Sequence, residues 1–306
     1  MFVSYTLNTY NRLHLLKNLM RSFEECNEYK GEFEWVITDY GSSDGTVEYL
    51  KELAQKYDYV VPIFESEDEY IASLPDDRKP VNARKKAHAI FGLARNRARR
   101  ASKAFSDKHG LFIEIADDHQ FVRKGDWVTE ALNVIRHNHA EAGPRISSII
   151  FRGLSYGRLM KQNNERYPVA TTTNQKTQYY VAKHKCYDDY HIQNSDVYKV
   201  VGDYMEVTTL EGNDLKEWQK GTDNINHYVD YLNRTKEFKM CKVFLKYPWA
   251  IDFPNPMHSQ LNVEREGLIV PLLTLEDMRT SFGGKDMPVS SEQVVHLSQK
   301  LQELSQ

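Results

Sequence analysis

The chain has 306 residues, is 41% hydrophobic and carries a formal net charge of −3 at pH 7. This length and composition allow a sizeable core in one large α/β domain or two small ones. The charge argues against a general binder of nucleic acid or another polyanion, so any basic patch must be local.

The cysteines and the apolar runs indicate the cellular compartment. Cys26, Cys186 and Cys241 are far apart and have no C-x-x-C spacing, which suggests neither a disulfide framework nor a zinc knuckle and favours a reducing compartment. No run approaches the ~18 apolar residues that span a bilayer. The N-terminus leads directly into a strand pattern without the regions of a signal peptide. The sequence therefore predicts a cytoplasmic protein without a transmembrane segment.

Strand and helix patterns alternate from the N-terminus. They predict strands at 2–7 and 33–38, and helices at 11–26 and 46–57. This order indicates a parallel α/β sheet, in which ligands bind beyond the carboxyl ends of the strands. We therefore expect a ligand near residues 6–12 and 39–45.

The middle of the chain continues the alternation. A charged segment with two prolines at 65–80 predicts a surface loop, and residues 82–105 predict a long basic helix. The basic residues of that helix fit a solvated face, with an anionic acceptor or a membrane surface as the alternative. Further patterns predict a strand at 111–116, a helix at 126–139 and a strand at 146–154.

Asp117, Asp118 and His119 follow the apolar strand at 111–116 and are the sharpest chemical signal. Adjacent carboxylates at the end of a buried strand repel one another, and such a cluster usually holds a hard divalent cation. Mg²⁺ or Mn²⁺ takes one or two carboxylates together with substrate phosphates. The two aspartates also fit a solvated turn or a helix cap, and the residues alone leave both interpretations open.

Four segments, in order, resemble motifs of the family 2 nucleotide-sugar glycosyltransferases of the GT-A fold. They are 8-NTYNR-12, 36-VITDYGSSDGT-46, 93-LARNRA-98 and 112-FIEIADDH-119. Later segments are similar to the family's closing motifs, namely 197-VYKVVGDYME-206, 221-GTDN-224 with Arg234, and 247-YP-248 with His258. The resemblance covers about residues 2–258.

The resemblance implies an α/β fold of the GT-A type, with a mostly parallel, mixed sheet flanked by helices. Residues 1–258 would form the glycosyltransferase domain. Its nucleotide and metal half would be 1–120 and its acceptor half 145–258. Outside the resemblance, a helical pattern at 293–304 predicts that residues 259–306 form a partly helical C-terminal extension.

The resemblance also implies roles for individual residues. Thr9, Tyr10 and Arg12 would line the nucleotide pocket, and Arg95 would stand near the base or the diphosphate. Asp39 would accept a hydrogen bond from the base, most simply from N3–H of uracil. The metal region would contain Asp117, toward the ribose or the metal, with Asp118, His119 and His258 as metal ligands.

Sugar transfer with inversion needs a base for the acceptor hydroxyl and a cation for the departing diphosphate. The resemblance implies Asp223 as the base, with Asp214 as the alternative. It implies a Mn²⁺- or Mg²⁺-dependent enzyme that moves a sugar from a nucleoside diphosphate sugar, UDP favoured, to a hydroxyl. The acceptor would be a glycan, a glycolipid or another hydroxyl-bearing molecule, and peripheral membrane contact stays open.

Three residues, Tyr40, His119 and Thr222, depart from the family's pattern. They keep open a nucleotide-sugar-binding protein that lacks turnover. A nucleotidyltransferase is a further alternative, but it would carry a Gly-rich phosphate loop after the first strand, and 6-TLNTYNR-12 contains no glycine.

Overall fold

The computed structural model describes 1–80, 83–107, 109–121, 124–139, 145–150, 169–171, 178–182, 191–194, 198–199, 202–204, 206–213, 215–216, 240–245 and 250–252. Four of the sequence predictions lie outside these residues: Asp214, Asp223, His258 and the extension at 259–306.

The described elements alternate between strand and helix in the N-terminal half. In chain order they are β1 (Val3–Thr9), α1 (Leu13–Cys26), β2 (Phe33–Asp39), α2 (Thr46–Lys56), β3 (Val60–Phe64), α3 (Glu67–Ser73), α4 (Ala83–Ala101), α5 (Lys103–Ser106), β4 (Leu111–Glu114), β5 (His119–Phe121), α6 (Trp127–His139), β6 (Arg145–Ile150), β7 (Val169–Thr171), β8 (Gln178–Ala182), β9 (His191–Asn194), β10 (Met240–Leu245) and β11 (Ala250–Asp252). Two short 3₁₀ turns lie at Asp76–Arg78 and Val207–Thr209.

The main sheet has nine described strands in the order β3-β2-β1-β4-β9-β6-β10-β8-β7. β3, β2, β1 and β4 are parallel neighbours, whereas β9 runs antiparallel to both β4 and β6. β5 and β11 form a separate antiparallel pair. The predicted α/β architecture with a mixed sheet is therefore confirmed, and its parallel block comes from the N-terminal half.

An aromatic core packs against one face of the parallel strands. Tyr5 of β1 stacks on Trp35 of β2 with ring centroids 4.7 Å apart, and Phe23 of α1 meets both rings edge-on. Trp127 of α6 donates from Nε1 to the Tyr5 hydroxyl at 2.9 Å. Alternate strand residues thus place their aromatic and aliphatic side chains under α1 and α6.

The opposite face of the same strands is polar although it is buried. Ser4 donates to Glu34 Oε1 at 2.6 Å, and the backbone N–H of Ala104 in α5 donates to Ser4 Oγ at 3.1 Å. Glu114 of β4 lies under α4 on this face and is 2% exposed. Buried polar groups of this kind are stable only when they are hydrogen-bonded or paired.

The structure differs from the sequence prediction at 65–80, where it contains α3 and a 3₁₀ turn rather than only a loop. Ser66 caps α3 by accepting from the Glu69 N–H at 3.2 Å, and the first turn contains Glu67, Asp68 and Glu69. Acidic residues in a first turn favour a helix because they complement its dipole. The high charge of this segment therefore supports a short surface helix.

Among the described residues, no helix combines the length and the apolar character that a membrane span requires.

Candidate active site

The carboxyl ends of β1, β2 and β4 meet at one edge of the sheet because these strands are parallel neighbours. Thr9 of β1 pairs in register with Asp39 of β2, and Asp117 follows β4 by three residues. The structure thus brings together Thr9, Asp39 and Asp117, which the sequence had placed at three separate strand ends.

Asp117 is the most connected of these side chains. Its Oδ2 accepts from Thr9 Oγ1 at 2.9 Å, and its Oδ1 accepts from Arg12 Nη1 at 2.8 Å. Asp117 is buried, with only 3% of the residue exposed. Burial raises the pKa of Asp117, the Arg12 guanidinium acts in the opposite direction, and neighbouring Asp118 raises it further. A further cation nearby would stabilise the ionised form of this buried carboxylate.

Asp118 and His119 occupy different environments. The Asp118 side chain is 23% exposed, with Oδ2 lying 3.4 Å from Arg12 Nη1 and Oδ1 lying 3.4 Å from His119 Nδ1. His119 is fully buried at the start of β5, where it pairs with Asp252 of β11. Asp118 can therefore be reached from solvent, whereas His119 contacts it from within the protein.

The donor set fits a hard divalent cation held by few protein ligands. Within the described ranges, no three His, Cys, Asp or Glu side chains form a group that could hold a metal ion by themselves. Mg²⁺ and Mn²⁺ commonly take one or two carboxylates and complete their shell with water and phosphate oxygens. An accessible carboxylate at Asp118 beside the buried Asp117 suits that mode.

Asp39 stabilises the turn that follows β2. Its Oδ1 accepts from the backbone N–H groups of Gly41 and Ser42, each at 3.0 Å, and its Oδ2 accepts from Ser42 Oγ. The residue is 1% exposed. An ionised carboxylate offers about four acceptor positions, so three donors leave one position for a ligand.

The loops after β1 and β2 are interlocked by residues that sequence analysis did not single out. The Asn11 N–H donates to Ser42 Oγ at 2.8 Å, and Asn11 Oδ1 accepts from the Ser43 N–H at 2.7 Å. Asn11 has a φ of 49°, a left-handed conformation that asparagine tolerates better than most residues. The asparagine inside the "TYNR" motif was the signal available in the sequence.

Asp44 joins the N-terminal ends of two helices in this loop. Its Oδ2 accepts from the Leu13 N–H of α1 at 2.9 Å, and its Oδ1 accepts from the Thr46 N–H of α2 at 3.1 Å. Asp44 therefore accepts from the first backbone N–H of each helix, whereas the N-cap residues Arg12 and Gly45 make no side-chain cap hydrogen bond. Both helices therefore start at positions fixed relative to the site.

Tyr10 contributes to an aromatic cluster beside Asp39. Tyr10 packs against a buried cluster that contains Tyr40, as do Tyr70 and Ile71 of α3. The hydroxyl groups of Tyr40 and Tyr70 are buried and have no hydrogen-bond partner in the part of the chain that the structure describes. Tyr40 thus packs among aromatic rings, and this packing connects α3 to the end of β2.

Arg95 of α4 is buried and pairs with the last residue of β4. Its Nη1 is 3.0 Å from Glu114 Oε2, and the side chain is 5% exposed. Arg99, one turn further along α4, also pairs with Glu114. The structure therefore places Arg95 in a buried ion cluster beneath the sheet edge, and its predicted contact with a base or a diphosphate stays a prediction.

His14, in the first turn of α1, is a site residue that sequence analysis missed. Burial lowers the pKa of His14, while the carboxylate of Asp117 opposes that change and the Arg12 guanidinium reinforces it. These electrostatic interactions indicate that the imidazole lies near Arg12 and Asp117. Its position two residues after "TYNR" gave no signal in the sequence.

A family model and several solved structures match the chain. The model described as glycosyl transferase family 2 matches residues 6–189. A crystal structure of S. aureus TarS 1-349 has 13% identity and a TM-score of 0.46, and the match covers 82% of this chain and 60% of the TarS chain. The chain thus spans less than two thirds of the length of that TarS structure.

Two further matches were determined with ligands. S. aureus TarS 1-349 in complex with UDP-GlcNAc has 13% identity and a TM-score of 0.45, with coverage of 99% of this chain and 72% of TarS. The mannosyltransferase PcManGT from Pyrobaculum calidifontis, in complex with GDP-Man and Mn²⁺, has 11% identity and a TM-score of 0.47, with coverage of 97% and 68%. No curated protein matches the chain significantly.

Proposed function

Because the chain belongs to glycosyl transferase family 2, with a GT-A domain, we propose that it transfers a sugar from a nucleoside diphosphate sugar to an acceptor hydroxyl. The observation that carries this proposal is the convergence of Thr9, Arg12 and Asp117 beside Asp39. Ligands of parallel α/β sheets bind beyond the carboxyl ends of the strands, where these residues meet.

The nucleotide would bind between the loops after β1 and β2. Tyr10 offers an aromatic face for the base, and Asp39 keeps one acceptor position for a donor such as N3–H of uracil. A hydrogen bond between a charged acceptor and a neutral donor distinguishes bases, because a base without that donor leaves the remaining acceptor position of the buried carboxylate unfilled. Uracil carries the N3–H donor and cytosine does not, and UDP is the nucleotide that we propose.

Asp118, with Asp117 behind it, would hold Mn²⁺ or Mg²⁺. His119, which the resemblance implied as a further ligand, is fully buried, so we propose that it orients Asp118 instead. A cation held there would supply positive charge to stabilise the departing diphosphate. The Arg12 guanidinium keeps Asp117 in place and adds positive charge at the same edge of the sheet. His258, outside the described residues, is proposed as a later ligand to the metal or the diphosphate.

Asp223 is the proposed base that takes the proton of the acceptor hydroxyl, with Asp214 as the alternative. Both lie outside the described residues and rest on the sequence motif. An inverting transfer needs only one such base, because the acceptor oxygen attacks the sugar on the face opposite the leaving diphosphate. We propose a glycan, a glycolipid or another hydroxyl-bearing molecule as the acceptor.

Thermal unfolding with UDP, GDP, dTDP and CDP, each with Mn²⁺, Mg²⁺ or EDTA, tests the donor site. A ligand that binds only the folded protein raises the unfolding midpoint. We expect the largest increase with UDP plus Mn²⁺ or Mg²⁺, and its loss with EDTA. An unchanged midpoint with every nucleotide would contradict the proposal. A nucleotide-dependent increase with no release of UDP from any UDP-sugar would instead indicate a binding protein without turnover.

A further inference from the structure

Asn96 of α4 fixes the backbone of Tyr204, although the two residues are 108 positions apart in the chain. Asn96 Nδ2 donates to the Tyr204 carbonyl at 2.9 Å, and the Tyr204 N–H donates to Asn96 Oδ1 at 2.8 Å. Asn96 is fully buried. One side chain thus satisfies both backbone groups of a residue, as a neighbouring strand would.

The side chain of Tyr204 connects the same residue to β4. Its hydroxyl donates to Glu114 Oε2 at 2.8 Å and accepts from Arg99 Nη2 at 2.9 Å. The Arg99 guanidinium lies 4.4 Å from the centroid of the Tyr204 ring. Because Tyr204 and Glu114 are each 2% exposed, these charge-assisted contacts act in a low-dielectric environment, where losing a partner is costly.

Glu114 is the last residue of β4, three positions before Asp117. The network of Asn96, Tyr204 and Glu114 therefore attaches the chain near Tyr204 to the strand end that carries the acidic cluster. The contact lies on the polar face of the sheet, opposite the aromatic core around Tyr5.

The residues after Tyr204 extend this attachment to α3. Val207 and Leu210 pack against buried Leu74, and Arg78 Nη1 donates to the carbonyl groups of Val207 at 2.8 Å and Thr208 at 2.9 Å. Tyr70 and Ile71 of α3 pack in turn against this cluster and against Tyr40, next to Asp39. We refer to residues 202–204 and 206–213 together as the 202–213 segment.

We propose that Asn96 and Tyr204 form a clamp that positions the 202–213 segment between the strand end carrying Asp117 and the strand end carrying Asp39. They are positioning residues that act through Glu114 and through α3. This inference rests on the proposed function for its catalytic consequence, because the fixed segment would border the donor. The clamp itself is a property of the fold and can be tested without a substrate.

The test compares Tyr204→Phe and Asn96→Asp with a matched control, Tyr5→Phe. Tyr204→Phe keeps the ring but removes the hydroxyl between Glu114 and Arg99. Tyr5 is also a buried tyrosine with a hydrogen-bonded hydroxyl, but it lies on the opposite face of the sheet. Hydrogen–deuterium exchange of the 202–213 segment is the first readout. We expect exchange there to be about 5- to 30-fold faster in Tyr204→Phe and near the wild-type rate in Tyr5→Phe.

The second readout separates positioning from stability. With UDP and Mn²⁺ as the binding probe and UDP-glucose hydrolysis as the turnover probe, Tyr204→Phe should keep nucleotide affinity within about 3-fold and lose about 10- to 100-fold in turnover per folded molecule.

Asn96→Asp places a carboxylate near Glu206 Oε1, which accepts from Asn96 Nδ2 at 2.8 Å in the native chain. In the double variant, the amide of Glu206→Gln can donate a hydrogen bond to the new carboxylate. We expect this to slow exchange and raise turnover partly toward the wild-type values.

Unchanged exchange of the 202–213 segment in both clamp variants would overturn the clamp. Faster exchange with unchanged turnover and affinity would overturn its positioning role and leave Asn96 and Tyr204 as stabilising residues only. Failure of the wild-type protein to bind any nucleotide would contradict the proposed function, and the exchange result would still decide whether the clamp exists.

Discussion

Arg12 Nη1 donates to Asp117 Oδ1 at 2.8 Å, and the same nitrogen lies 3.4 Å from Asp118 Oδ2. One guanidinium therefore serves two adjacent carboxylates at the end of β4. The side chain of Asp117 is far less exposed than that of Asp118, 4% against 23%. Arg12 thus offsets part of the cost of burying Asp117, while Asp118 keeps its access to solvent.

Asp117→Asn should raise the unfolding midpoint at pH 7 and reduce turnover by at least about 100-fold. Burial raises the pKa of Asp117, so the folded state binds a proton more tightly than the unfolded state. The native chain therefore loses stability as pH rises from the ordinary pKa of a carboxyl group through the raised value, and the variant does not. Thermal unfolding of both proteins between pH 3 and pH 8 measures the difference, which should vanish at the acidic end.

Asp107→Asn is the matched control for that titration. The Asp107 carboxylate accepts from the Phe2 N–H at 2.7 Å and from the His109 N–H at 2.9 Å, and the hydrogen bond from His109 is the main cause of its lowered pKa. Its stabilisation is present above the ordinary pKa and is lost as pH falls through the lowered value. The control should therefore destabilise the protein at pH 7, and a midpoint that rises in both variants would contradict the assignment for Asp117.

Asp39→Asn should lower the affinity for UDP by about 10- to 100-fold, because an amide cannot supply the charged acceptor that we propose for the base. The structure shows that alanine would also remove the acceptor for Gly41, Ser42 N–H and Ser42 Oγ, and would destabilise the turn. Isothermal titration with UDP and Mn²⁺ measures the affinity.

Ser42→Ala serves as the control for Asp39→Asn. It removes the hydroxyl that connects the Asn11 N–H with Asp39 and keeps the Asp39 carboxylate. We expect a lower unfolding midpoint with a smaller loss of affinity than in Asp39→Asn. Equal UDP affinity in wild type and Asp39→Asn would remove Asp39 from the base site.

Asp118→Asn should weaken Mn²⁺ binding by about 10- to 100-fold while the protein stays folded, because its side chain is partly exposed and charge is its main contribution. The measurement is the Mn²⁺ concentration that gives half of the UDP-dependent increase in unfolding midpoint. The more exposed Asp77, which lies in the 3₁₀ turn after α3, provides a control in Asp77→Asn. An identical metal dependence in Asp118→Asn and wild type would exclude Asp118 as a ligand.

The sequence predicted the parallel strands that meet at this edge of the sheet because their signals are local. Strand patterns end near Thr9, Asp39 and Asp117, and parallel strands bring their carboxyl ends together without further information. The sequence did not predict the buried polar face beneath α4. Glu114 looks like an isolated acid within an apolar strand, and its partners Arg95, Arg99 and Tyr204 come from distant positions.

Arg95 illustrates the limit of a motif. The "ARN" segment identified Arg95 as a candidate site residue, but the direction of a helical side chain depends on which face of the helix packs against the sheet. α4 lies over the polar face, so Arg95 and Asn96 reach Glu114 and Tyr204. The interlock of Asn11 with Ser42 was equally hidden, since it depends on the spacing between two loops 31 residues apart.

Asp44→Ala should destabilise the protein by about 1 kcal/mol, similar to the loss of a helix cap, because Asp44 accepts from the first backbone N–H of both α1 and α2. Burial alone would raise the pKa of Asp44, but hydrogen bonds from Leu13 and Thr46 outweigh it and lower the pKa. The stabilisation is therefore present above the ordinary pKa and is lost as pH falls through the lowered value. Urea unfolding at pH 7 and pH 3 checks this, with Ser43→Ala as the neighbouring control. An equal cost at both pH values would contradict it.

Asp223→Asn should preserve UDP and Mn²⁺ binding and reduce sugar transfer or donor hydrolysis by about 10²- to 10⁴-fold, the usual contribution of a general base. The reason is chemical: an amide cannot accept the proton that the attacking hydroxyl or water must lose. Asp214→Asn is the matched control, since it makes the same substitution at the alternative base nine residues earlier in the sequence. Titration with UDP gives the affinity, and the release of UDP from UDP-sugars gives the rate. Normal turnover in Asp223→Asn with a large loss in Asp214→Asn would assign the base to Asp214. Normal turnover in both variants would exclude both aspartates, and the proton acceptor would have to come from another residue.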